Sequence, residues 1–157
     1  MKRKILSLFV IAILIFSMQT ASALSSCENA TVEYLDNGDC IVTIIETVSP
    51  VNGIMPLASN TETKSKTSYY KNTAGDTMWY VRVTGTFTYG DGISKCISVT
   101  PSAASYTSDW KVSNISGSKS GNKASATATG KQYYAGEVID SITKTVTMTC
   151  SPTGVFS

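Results

Sequence analysis

The carboxylates of this chain fall where two of them could act together as an acid and a base. Asp91, Asp109, Glu137 and Asp140 lie in segments predicted as loops or strand ends. Converging carboxylates hydrolyse glycosides. The sequence contains no histidine, which excludes Ser-His-Asp and Cys-His catalysis in their usual forms. Because loop carboxylates are ordinarily only solvated, we expect no enzyme, and an extracellular hydrolase that uses these residues is the alternative.

Tyrosines on the predicted strands are the better lead to a function. Tyr70, Tyr80 and Tyr133 lie in strand segments, and Tyr80 faces away from the side of Trp79. An outward aromatic ring on a flat sheet packs against sugar rings or anchors a protein partner. Core packing and cross-strand contact are the other roles of such rings. We take these three tyrosines as the expected anchors of a binding surface.

Alternating threonines mark two further strand faces, Thr84 to Thr88 and Thr143 to Thr149. Such faces occur in pore-forming hairpins and in ice-binding ladders. A membrane hairpin needs an apolar band that faces lipid, whereas the opposite faces here contain Lys144, Gly85 and Gly130. We therefore expect solvated sheet faces and no stable membrane insertion.

Four cysteines, Cys27, Cys40, Cys96 and Cys150, permit two disulfides in three connectivities. Zinc is not expected, because the chain has no histidine and no CxxC pair, and we predict no cofactor. Cys96 and Cys150 lie near the ends of two predicted strands, which favours that pair. Cys27 with Cys40 would follow by elimination, but it requires the N-terminal segment to fold back.

The N-terminus has the pattern of an export signal. Lys2, Arg3 and Lys4 precede an apolar run from Ile5 to Phe16, and Ala21-Ser22-Ala23 supplies a cleavage site after Ala23. The expected product, residues 24–157, is secreted. In the alternative, Leu24-Ser25-Ser26-Cys27 acts as a lipobox and anchors the chain through a lipidated Cys27. Loss of the three basic residues leaves ten against eleven acidic ones, so a nucleic-acid partner is not expected.

The exported part is predicted to be all-β, with turn signals at intervals typical of a sandwich. The clearest strand, Met78 to Tyr89, places Trp79, Val81, Val83 and Phe87 on one face. A second strand places Ala124, Ala126 and Ala128 on its inner face, and a third does the same with Val146, Met148 and Cys150. We therefore predict an antiparallel β-sandwich of immunoglobulin-like size.

Three segments are predicted after the signal. Residues 24–48 form a hairpin extension that turns at Asp36-Asn37-Gly38-Asp39, with Asn-Gly in a two-residue loop and Cys40 opposite Leu35. Residues 49–65 form a linker or long loop, rich in Pro and Gly. Residues 66–157 form the sandwich domain.

The Trp-x-Val-x-Val-x-Gly-x-Phe strand at Trp79 and the terminal Thr-Val-Thr-Met-Thr-Cys at Cys150 resemble small secreted proteins of Gram-positive, Clostridia-type bacteria. The resemblance covers most of the exported chain. It implies a single β domain in which Cys96 and Cys150 are the typical pair, and it brings no activity or substrate.

We expect a monomeric binding module without catalytic activity. Its expected partner is an extracellular glycan, the cell wall or another protein. A self-assembling surface or matrix protein that uses open sheet edges is a further alternative.

Overall fold

The computed structural model describes residues 30–48 and 60–157, which form eight β-strands and no helix. The strands are β1 (Thr31–Tyr34), β2 (Cys40–Thr47), β3 (Asn60–Lys71), β4 (Thr77–Gly90), β5 (Ile93–Ser105), β6 (Trp110–Ser120), β7 (Lys123–Tyr134) and β8 (Glu137–Thr149). β1 to β5 form one antiparallel sheet in chain order, and β6 to β8 form another. The predicted β-sandwich is confirmed.

Several predictions lie outside the described residues: the export signal with its cleavage after Ala23, the alternative lipobox, the pairing of Cys27, and residues 49–59 of the linker. Within residues 30–48 and 60–157, no helix is long and apolar enough to cross a membrane.

The core forms where β7 packs over β4 and β5. On β4, alternate residues Trp79, Val81, Val83 and Phe87 are buried, as the period of two predicts. The facing strand β7 presents only small side chains, since Ala124, Ala126 and Ala128 are also buried. Val146 and Met148 on β8, and Cys150 directly after it, complete the core. The inner faces predicted for these three strands are therefore confirmed.

Gly130 of β7 lets the Trp79 ring lie against the backbone of the opposite sheet. A Cβ built on Gly130 would lie 2.4 Å from Cε2 of Trp79, and Trp79 is only 1% exposed. Gly85 of β4 has the reciprocal role, because a Cβ there would lie 3.0 Å from the Cβ of Ala124. The sheets therefore approach closely at these two glycines.

An aromatic cluster closes one end of the core. The Tyr70 ring lies 6.1 Å from Trp79 and 5.0 Å from Trp110, measured between ring centroids. The Tyr70 hydroxyl donates a hydrogen bond to the carboxylate of Asp39 in the β1–β2 turn. Burial first, and then this hydrogen bond, raise the pKa of Tyr70 to about 12. The cluster therefore ties the first hairpin to both sheets.

The β1–β2 turn differs from the sequence prediction by one register position. Leu35 N donates to Asp39 O at 2.9 Å and Gly38 N donates to Leu35 O at 3.0 Å. Only Gly38 in this turn has a positive φ, +85°. This is a three-residue loop in which a glycine follows a type I turn, rather than a two-residue Asn-Gly loop. Cys40 consequently opposes Tyr34 and not Leu35.

The first hairpin belongs to the five-stranded sheet. β2 pairs with β3 along its whole length, from Cys40 opposite Lys71 to Thr47 opposite Lys64. Residues 60–65, which were predicted to belong to a linker over residues 49–65, lie in β3 instead. Polar residues at the start of β3 hid this strand in the sequence.

Gly130→Ala tests the close approach of the sheets. We expect it to lower the free energy of unfolding by roughly 1–3 kcal/mol, since the new methyl group overlaps an immobile tryptophan. Urea denaturation gives the value. Ser125→Ala, on the outer face of the same strand, is the control. Equal stability of Gly130→Ala and the native chain would contradict the packing described here.

Tyr70→Phe tests the buried phenol. Because the folded-state pKa lies above the unfolded value of 10.0, the stability due to this group is complete below pH 10 and is lost as the pH rises towards 12. We expect Tyr70→Phe to lose less stability over that interval than the native chain in pH-dependent urea titrations. Tyr70→Phe should still lose some stability over this pH interval, since burial also raises the pKa of Tyr89. An unchanged slope would contradict the assignment, and Tyr34→Phe, at a side chain 79% exposed, is the control.

Candidate functional site

The structure separates the three tyrosines predicted as binding anchors. Tyr80 is half-buried on the outer face of the five-stranded sheet, away from Trp79, as predicted. Tyr133 is half-buried on the three-stranded sheet, with the Lys111 ammonium 4.8 Å from its ring centroid. Tyr70 was wrongly predicted as an anchor, because its pairing with Trp79 turns it inward and leaves it 2% exposed.

Strand register aligns apolar and aromatic side chains into one row across the outer face of the five-stranded sheet. Val32 pairs with Val42, Val42 with Tyr69, Tyr69 with Tyr80, and Tyr80 with Ala104. Paired residues project from the same face of a sheet, so these side chains are neighbours. We call this row, together with Tyr106 beyond the end of β5, the tyrosine row.

The three rings of the tyrosine row form a continuous series. The Tyr69 and Tyr80 centroids are 6.1 Å apart, and those of Tyr80 and Tyr106 are 5.8 Å apart. Tyr106 is 61% exposed, and Val32 at the other end is 50% exposed. Exposed apolar groups that adjoin one another, unlike scattered ones, mark interaction surfaces.

Arg82 holds the rings of the row from one side. Its guanidinium carbon lies 5.6 Å from the Tyr80 centroid, and its Nε donates to Thr67 Oγ1 at 2.8 Å. Its Nη2 lies 3.5 Å from the Tyr69 hydroxyl and 3.6 Å from the Glu46 carboxylate. The row is therefore ordered before a ligand arrives, which reduces the entropy lost on binding.

The carboxylates considered for catalysis do not all meet. Asp91 lies in the turn that follows the end of β4. Asp109 lies near the opposite end of that strand, because Tyr106 N, shortly before Asp109, donates a hydrogen bond to Met78 O at the start of β4. Asp109 and Asp140 both adjoin Gln132: Gln132 Nε2 donates to Asp109 at 3.4 Å, and Gln132 pairs with Asp140. Glu137 begins β8 at the same end of the sandwich. In the described residues, no three Asp, Glu, Cys or His side chains are grouped as metal ligands.

Two buried cysteines converge on the β6–β7 turn. Cys96 N donates to Gly121 O at 2.8 Å, and Cys150 N donates to Asn122 O at 3.0 Å. Both thiols are free in the structure and at most 3% exposed. Cys40 is a half-buried free thiol on the outer face beside Tyr34.

Sequence reasoning missed Tyr69, Val32 and Val42 as members of a shared surface. The signal existed only for Tyr69, which precedes Tyr70 and must face the opposite side of the same strand. Val32 and Val42 join the row because β1 and β2 pair with β3 as part of the five-stranded sheet. The sequence pattern predicts a hairpin separate from the sandwich, and so it does not place the two valines beside the tyrosines.

Comparison of the chain with protein-family models, with curated proteins and with solved structures gives no match.

Proposed function

We propose that this chain is a secreted, non-catalytic binding module that holds a glycan of the cell envelope on the tyrosine row. The observation that carries the proposal is the alignment of Tyr69, Tyr80 and Tyr106 with the half-buried Val42 and the exposed Val32 of the first hairpin. The apolar C–H faces of sugar rings pack on aromatic rings of this kind.

The shape of the row favours a linear polymer over a folded protein. The row crosses five strands, about 19 Å at the usual strand spacing. At the first hairpin, Ile44 and the exposed Tyr34 lie beside Val42 and Val32 on the same face. Elsewhere its neighbours include polar residues: Thr67 and Ser102 lie beside Arg82 on one side, and Lys71 lies beside Cys40 on the other. Protein interfaces instead centre on a broad apolar patch enclosed by a polar rim.

The double variant Tyr69→Ala/Tyr80→Ala tests the proposal. Each ring contributes roughly 0.5–1.5 kcal/mol beyond its buried area, so we expect the pair to weaken binding about tenfold. Pull-down titrations on purified peptidoglycan, cellulose and chitin measure this loss. Tyr134→Ala, at an exposed tyrosine away from the row, is the matched control.

Circular dichroism first establishes that both variants are folded. Tyr69→Phe/Tyr80→Phe retains the rings and should retain binding. If no glycan binds, or if the alanine and phenylalanine variants bind equally well, the tyrosine row is ordinary surface packing. Capture of a defined envelope protein through the same rings would replace the glycan with a protein partner.

We also propose that Cys96 and Cys150 form a disulfide in the exported protein. Their backbones bond to consecutive carbonyls of one turn. One cysteine belongs to β5 of the larger sheet and the other follows β8 of the smaller sheet, so a bridge would join the two layers. Exported proteins commonly carry such bridges.

Peptide mapping without reduction should recover Cys96 and Cys150 in one linked fragment. Closing a loop of this length contributes ~4 kcal/mol by chain entropy, so reductant should lower the melting temperature of the native chain. Cys96→Ser/Cys150→Ser should be insensitive to reductant. Recovery of both cysteines as free thiols from the oxidised, secreted protein would contradict the bridge.

A further inference from the structure

Fifteen paired positions on the outer face of the three-stranded sheet carry only hydroxyl and ammonium side chains, and a further pair, Tyr133 with Val138, adjoins them at the end near Lys111. Register groups them into five rows of three. The rows are Ser120–Lys123–Thr149, Ser118–Ser125–Thr147, Ser116–Thr127–Thr145, Ser113–Thr129–Thr143 and Lys111–Lys131–Ser141. We call this surface the hydroxyl face. Every one of its side chains is polar, which distinguishes it from the tyrosine row on the opposite side of the sandwich.

The hydroxyls of β7 and β8 are arranged in bonded pairs. Ser125 and Thr147 lie 2.8 Å apart, Thr127 and Thr145 2.7 Å, and Thr129 and Thr143 2.9 Å, measured between their oxygens. Each pair uses one of its two protons for the mutual bond. In the exposed pairs Ser125–Thr147 and Thr127–Thr145, the second proton and the remaining lone pairs are left for a ligand or for water. The third pair offers less, because Thr129 is only 7% exposed. The hydroxyl face therefore offers donors and acceptors at a regular spacing.

The charges of the hydroxyl face are all positive. Lys111 and Lys131 are directly opposite each other on β6 and β7, an arrangement that destabilises a sheet. Lys123 lies at the far end of β7, and no carboxylate occupies any of the fifteen positions. The Lys111 ammonium lies 4.8 Å from the Tyr133 ring centroid, and an anionic ligand would further offset its repulsion with Lys131.

We propose that the hydroxyl face binds an acidic polysaccharide whose sugar rings carry carboxylates. Lys123 and Lys131 are separated by about 27 Å along β7, and the three strands span about 10 Å. This is an extended, flat surface with positive charge at both ends. Uronic-acid polymers combine spaced carboxylates for the lysines with hydroxyl groups that both donate to and accept from serine and threonine.

Other partners fit the face less well. Nucleic acid carries about one charge per 1.7 Å of duplex, far denser than three lysines over this length, and the face holds no arginine. A protein hot spot requires aromatic or aliphatic anchors, which the fifteen positions lack. The inference concerns a second surface and does not depend on the tyrosine row.

Binding of the secreted protein to polygalacturonate tests the proposal, with native chain, Lys131→Gln and Lys95→Gln compared. One lysine near an anionic surface contributes about 1 kcal/mol, so Lys131→Gln should weaken binding about fivefold. Lys95 is exposed and lies on the five-stranded sheet, opposite Thr88. Lys95→Gln makes the same change of net charge and should leave binding unchanged.

A second variant, Thr127→Val/Thr145→Val, removes one hydroxyl pair while keeping branched side chains, and it should also weaken binding. Raising the salt concentration should weaken the native complex. Tyr69→Ala/Tyr80→Ala should bind polygalacturonate normally, which separates this proposal from the function of the tyrosine row.

The proposal is overturned if the native chain does not bind at low salt, or if Lys131→Gln and Lys95→Gln lose affinity equally. Equal binding of duplex DNA would show a general attraction for polyanions and would also overturn it. Thermal melting verifies that the variants are folded. Since removal of Lys131 relieves a repulsion, its variant should be at least as stable as the native chain.

Discussion

The close approach of β4 to β7 is the constraint on which the rest of the structure depends. Between these two strands the large side chains project from β4 only, with Trp79 and Phe87. The facing strand offers alanines and Gly130. Interiors pack as densely as crystals, so this asymmetry fixes which part of β7 lies over which part of β4. It also fixes the strand faces that remain outside.

Because each sheet buries one face, its other face is free to take up a chemistry of its own. The five-stranded sheet presents tyrosines and valines, ordered by Arg82. The three-stranded sheet presents serine, threonine and lysine. A sandwich core requires only that apolar side chains alternate with outward-facing ones along a strand. It does not require the two outer surfaces to resemble each other. The two surfaces proposed for binding therefore lie on opposite sides of the sandwich.

Alternation in the sequence predicts the covered strands well and the partly covered ones poorly. The inner faces of β4, β7 and β8 follow from their apolar residues. On β3, however, Glu62, Lys64 and Lys66 face the same side as Tyr70, since they pair with Phe87, Gly85 and Val83. Because these inward residues are polar, the sequence of β3 does not alternate between apolar and polar side chains. Sequence alone therefore could not decide which of Tyr69 and Tyr70 is buried. The tyrosine row was hidden for this reason: its members are aligned by pairing between strands, and that is a long-range property.

The edges of the two sheets explain why the outer faces are the better candidates for recognition. β1 has only four residues, β5 contains Pro101, and β6 is interrupted by a bulge between Ser113 and Ser116. β8 is the long edge, but Lys144 shares the inner face with Val146 and is bonded to Glu33 of β1. Short strands, proline, bulges and inward charges are the devices that prevent edge-to-edge pairing. They disfavour assembly by strand addition, which leaves the side chains of the two flat surfaces as the better candidates for contact with other molecules.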